Sequence, residues 1–90
     1  MDIKEIKNLK AQAHHLKPIV QIGKNGLTES VLKEIDAALE AHELIKIKFQ
    51  ESALDLLSDA SWVSRLKAEH VDTKGHIVIL YREKPEKDEK

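Results

Sequence analysis

Lys17-Pro18-Ile19-Val20-Gln21-Ile22-Gly23-Lys24-Asn25-Gly26-Leu27-Thr28-Glu29 contains a helix end, a strand, a turn and a helix start in immediate succession. Pro18 pushes Lys17 out of the α region and so closes the helix that precedes it. Ile19 to Ile22 reads as a short strand. Gly23 and Gly26 bracket a polar pair and let the backbone turn tightly, leaving room for another backbone to approach. Thr28 is a favourable N-cap, Glu29 suits the positive end of a helix dipole, and Leu27 and Leu32 occupy the positions of a hydrophobic staple.

Upstream of this stretch, Ile3, Ile6, Leu9, Ala13 and Leu16 recur at spacings of three and four and predict an amphipathic helix over 3–16. Downstream, Val31, Leu32, Ile35, Ala38 and Leu39 form the apolar stripe of a second helix. Residues 44–49 alternate, so a strand should turn Ile45, Ile47 and Phe49 inward and Lys46 and Lys48 outward. Ser52 and Asp55 resemble a capping box, and Ala53, Leu56, Leu57, Ala60 and Val63 place a third helix reaching about Leu66. A weak strand follows around His70–Thr73, then a turn at Lys74-Gly75 and a strong strand over Ile77–Tyr81. That last strand is apolar on both faces and is expected at the centre of its sheet. From Glu83 to Lys90 every residue but Pro85 is charged, the composition of a disordered tail. The expected order is α-β-α-β-α-β-β. It is an α/β chain of the α+β two-layer type, with right-handed crossovers onto a four-stranded mixed sheet closed by a terminal hairpin.

Ninety residues support one domain, expected to span 1–82. With one Phe, one Trp and one Tyr, the core must be filled by aliphatic side chains, and Trp62 is expected in it. The absence of Cys excludes disulfides and thiolate metal sites. No apolar run approaches the roughly 18 residues needed to span a bilayer. The first residues do not resemble a signal peptide, so a cytoplasmic location and no membrane partner are expected. The net charge of -1 conceals an asymmetry. Over residues 1–28, five Lys stand against Asp2 and Glu5, a balance of +3; over 29–72, ten acids stand against five bases, a balance of -5. A nearly neutral chain can therefore still present one basic face.

Three features carry candidate chemistry. A phosphate at the Gly23-Lys24-Asn25-Gly26 loop would meet free N–H groups of the helix that opens at Thr28, the positive helix end and the Lys24 ammonium. By spacing alone, a plain strand-to-helix turn is the better reading, and with Leu27-Thr28 after the second Gly the loop is not a Walker loop. Lys7, Lys10, His14 and Lys17 form a basic stripe on one face of the first helix, which is also what any solvated helix face can carry. Lys46 and Lys48 form an outward pair that could serve phosphate or simply guard a strand edge. The five His residues lack ligand spacing, and no nucleophile, base or metal set is visible, so no enzyme, cofactor, metal or small-molecule substrate is expected.

Ala13 to Thr28, His42-Glu43-Leu44-Ile45-Lys46-Ile47-Lys48, and Gly75 with Ile77 to Arg82 resemble, in order and spacing, the three sequence blocks of the CRM domain, named for chloroplast RNA splicing and ribosome maturation. The likeness covers about residues 3–82 and lapses between Lys48 and Gly75. It implies a fold similar to the C-terminal domain of translation initiation factor three. It also implies a stand-alone bacterial protein that binds ribosomal RNA in precursors of the large subunit. The G-x-x-G loop would contact RNA in the manner of KH domains, although the KH loop joins two helices and this one follows a strand. The RNA-binding residues expected on this basis are Lys7, Lys10, His14, Lys17, Gly23, Lys24, Asn25, Gly26, Thr28, Lys46, Lys48 and Arg82. The competing expectation is a protein-interaction adaptor using the acidic surface of helices two and three. A monomer is expected in either case.

Overall fold

The computed structural model describes residues 2–59 and 61–83. Helix α1, Ile3–Ala13, opens on a capping box in which Asp2 and Glu5 each accept the other's backbone N–H. It ends earlier than Pro18 alone requires. His14 closes the α-helical ladder, and Leu16 donates its N–H to the carbonyl of Ala13 in a tighter turn. Strand β1 is Val20–Ile22, and helix α2 is Glu29–His42 with Thr28 as N-cap, its hydroxyl accepting from the Val31 N–H at 3.1 Å. Strand β2 is Leu44–Phe49, at the residues its alternation marks.

The expected third helix is divided. Residues Glu51–Ser58 form a 3-10 helix whose N-cap, Gln50, makes no side-chain cap bond, and α3 is only Ser61–Arg65. Ser52 and Asp55 do not form the expected capping box; the Ser58 hydroxyl donates instead to the Asp55 carbonyl. Between the two pieces Asp59 is extended, and its carboxylate accepts the Ser61 N–H at 3.0 Å. That bond and one from the Ser61 side chain hold the Asp59 carboxyl below its ordinary pKa. Strands β3, Glu69–Lys74, and β4, Ile77–Tyr81, complete the chain as a hairpin.

The sheet order is β1-β2-β4-β3, with β1 parallel to β2 and the other pairs antiparallel. Apolar β4 is interior, as expected of a strand without a polar face. One face of the sheet carries Val20, Ile22, Ile45, Ile47, Phe49, Val78 and Leu80, packed with Leu32, Ile35 and Leu39 of α2 and Trp62, Val63 and Leu66. Trp62 is buried against Phe49, with ring centroids 5.9 Å apart, so it is a core residue. The opposite face is covered in part by α1, where Ala13, Ile6 and Leu9 meet Leu44, Val71 and Ile79. The four-stranded mixed sheet stands as expected, and α1 adds a partial third layer behind it. The expected tail lies outside the described residues from position 84 onward.

Candidate nucleic-acid interface

Because β1 and β2 run parallel and β4 runs against them, one end of the sheet collects several loops. The Gly23–Gly26 turn follows β1 there, Gln50 follows β2, and the β3–β4 turn stands alongside, tied in by the Phe49 N–H bonding the His76 carbonyl at 2.8 Å. Gly26 donates to the Gly23 carbonyl at 2.9 Å, so Lys24 and Asn25 occupy the corners of a tight turn, both exposed. Gly26 has φ of +71°, a conformation that side chains resist. At Gly23 a Cβ would meet the Gln50 Oε1 at 3.3 Å, and Gln50 in turn donates to the Gln21 Oε1 at 3.4 Å. The turn is thus seated against the end of β2. Sequence reasoning does not single out Gln50; its position just beyond an alternating strand is the available signal.

The turn leads into α2, so first-turn amides with no intrahelical acceptor lie at its edge. Thr28 takes one of them, that of Val31, onto its own hydroxyl. Glu29, in the same first turn, adds a negative charge, and Arg65 stands 3.4 Å from its carboxylate.

The α1 side of the sheet supplies a second basic region, continuous with that end. Lys48 is directly opposite Gln21 on β1 and Ile77 on β4, and is exposed on this face. A groove between α1 and the hairpin is lined by Lys10 of α1 and its C-cap His14, Lys46 from β2, Asp72 and Lys74 from β3, and Ile77 and Ile79 from β4. Lys46 is half-buried and donates to the Leu16 carbonyl at 3.1 Å, which fastens the α1–β1 connection to the sheet. An ammonium has three donors, so this bond leaves Lys46 able to meet an anion.

Of the expected residues, the structure gathers Gly23, Lys24, Asn25, Gly26, Thr28 and Lys48 at the sheet end and Lys10, His14 and Lys46 in the groove. Lys7 is exposed one turn further back on α1. Lys17 lies off the helix, beside a hollow formed with Ile19, His42 and Leu44 at the other end of the sheet. Arg82 departs from the expectation altogether. Its guanidinium is largely buried and donates to the Asp36 carboxylate and the Leu66 carbonyl, both at 2.8 Å, to the Asp36 carbonyl at 3.1 Å and to Glu40 at 3.2 Å. Those acceptors take four of its five N–H donors, so it ties the end of β4 to α2 and to Leu66 rather than standing in the basic groove. Lys74, in contrast, is absent from the expected set and joins the groove. Among the described residues there is no His, Cys, Asp or Glu cluster that could hold a metal ion, and no helix long and apolar enough to cross a membrane.

The family model of the CRS1 / YhbY (CRM) domain matches residues 1–82. An "RNA-binding protein" of Haemophilus influenzae is 47% identical over 85 residues, covering 91% of this chain and 85% of that protein. "Probable RNA-binding protein YqeI" of Bacillus subtilis is 36% identical over 85 residues, covering 92% and 88% respectively. Among solved structures, a Staphylococcus aureus protein determined in solution, and described as a candidate RNA-binding protein, superposes with a TM-score of 0.67 at 36% identity. The superposition covers 89% of this chain and 85% of that one. A family match over nearly the whole chain, with relatives this similar along their own lengths, means that the chain belongs to the CRS1 / YhbY (CRM) domain family.

Proposed function

We propose that this protein binds RNA, and that its target is ribosomal RNA in precursors of the large subunit, engaged by a cytoplasmic monomer that performs no chemistry on it. The observation that carries the reading is the exposed Lys24-Asn25 corner at the head of α2, on the same end of the sheet as Lys48 and Lys74. A backbone turn, a helix start and several ammonium groups in one place suit a phosphodiester chain better than any other common ligand. The RNA-binding names of the relatives support the ligand class. The ribosomal target rests on the family resemblance.

The adaptor reading is weakened by internal pairing on the acidic side. Asp36 and Glu40 are engaged by Arg82, and Glu29 by Arg65. Crosslinking in cells, followed by purification of the protein and sequencing of the attached RNA, tests the target. Enrichment of large-subunit precursor RNA is expected. Crosslinks spread in proportion to RNA abundance would overturn the ribosomal target while keeping RNA binding, and recovery of protein partners without RNA would return the adaptor.

A further inference from the structure

The groove beside α1 contains one carboxylate among its basic groups, and a backbone irregularity puts it there. Along β3, His70 pairs with Leu80, whose side chain is on the α2 face of the sheet. In a regular strand position 72 would return to that same face. Instead the register shifts between His70 and Asp72. Val71 is the extra residue, packed under α1. Asp72 therefore pairs with Ile79, and Lys74 with Ile77, both on the groove side. Bulges of this kind re-aim side chains and are frequent beside functional sites.

A carboxylate in a surface meant only to attract a polyanion would cost affinity. Asp72 is not used up by the fold: the ion pair it makes among the described residues is a long contact to Lys10, 3.9 Å away, and its side chain keeps 21% of its exposure. An ionised carboxylate is purely an acceptor with room for several bonds, so the ligand group that it suits is a donor. Ile77 and Ile79 supply an apolar surface next to it, and Lys10, Lys46 and Lys74 line the same groove. Apolar surface, acceptor and Lys ammonium groups match the three parts of a nucleotide: base face, donor edge or hydroxyl, and phosphate.

We propose that Asp72 is a specificity-determining residue, accepting a hydrogen bond from an N–H of an unpaired base or from a ribose 2′-hydroxyl seated in this groove. The bulge in β3 thereby converts a basic groove into one that discriminates among the strands it attracts. The proposal rests on the RNA-binding reading above.

The test measures affinities of the full chain and of Asp72→Ala for short single strands of poly-U, poly-C and poly-A RNA, and for the matching DNA strands. The parent should separate its best and worst strands by about fivefold, the worth of one net hydrogen bond. In Asp72→Ala the separation should fall to within about twofold, with the weakest strand binding more tightly because a repelling charge has gone. Collapse of the differences among bases assigns the donor to the base; collapse of the RNA–DNA difference assigns it to the 2′-hydroxyl. A change in folding alone would scale all affinities together and leave the ratios intact. Should Asp72→Ala fail to fold, Asp72→Asn keeps the shape and removes the charge; it should bind every strand more tightly, with a reduced ratio. Parent-like ratios in the folded variant would overturn the proposal and leave RNA binding standing. A parent that binds no strand would overturn both.

Discussion

Gly26 shows what a single residue contributes to the turn. Its φ of +71° is the reason for glycine, because a Cβ added there would have Leu56 Cδ1 as its nearest neighbour, at 3.5 Å, an ordinary contact without a clash. Gly26→Ala should therefore destabilise through backbone strain alone, by about 1 kcal/mol. For a domain this size that corresponds to a fall in Tm of roughly 4–8 °C. An unchanged melting temperature would mean that the turn relaxes at no cost. The need for positive φ is legible in the sequence, since Gly26 stands just ahead of a strong N-cap at Thr28. The aim of Asp72 is not legible, because a bulge leaves no mark in residue type: Glu69 to Lys74 reads as an ordinary polar strand whichever way its side chains alternate.

At the scale of elements, β2 and the start of α2 are readable because a strict period and a cap act locally. The division of helix three is not. Ala53, Leu56 and Leu57 suit both 3-10 and α spacing, and the deciding feature is a competing local bond, the Asp59 carboxylate taking the Ser61 N–H. The role of Arg82 escapes the sequence because its partners on α2 lie more than forty positions away. It joins the end of β4 to α2 by three hydrogen bonds and to the Leu66 carbonyl by a fourth. Asp36 and Glu40 are more than half exposed, so solvent screens much of the ionic part. Arg82→Ala should cost about 1–2 kcal/mol, chiefly by leaving the Leu66 and Asp36 carbonyls without that donor. At a temperature where the variant is folded, its RNA affinity should stay within about twofold of the parent. A folded Arg82→Ala protein with a large loss of RNA binding would restore this residue to the interface.

Over the whole molecule, charge is sorted by the layers of the fold. The half that holds α1, the Gly23–Gly26 turn and the outward side of β2 carries Lys7, Lys10, Lys24, Lys46 and Lys48, joined by Lys74. The acids of α2 and the 3-10 helix belong to the layer on the other side of the sheet, where Arg65 and Arg82 engage Glu29, Asp36 and Glu40. A molecule with a net charge of -1 can then approach a polyanion in one orientation. Roughly three to five simultaneous phosphate contacts are reasonable for a face of this size, and each releases condensed counterion. The most direct measurement is RNA affinity across a salt series for the parent, for Lys24→Ala combined with Asn25→Ala, and for Lys48→Ala, with circular dichroism on the same samples. The parent should give a slope of log affinity against log salt of about -2 to -4. Each variant should keep its fold, bind more weakly, and lose up to about one from the magnitude of that slope. A flat salt dependence in the parent, or a folded double variant with parental affinity and slope, would contradict the basic face and its turn as the RNA contact.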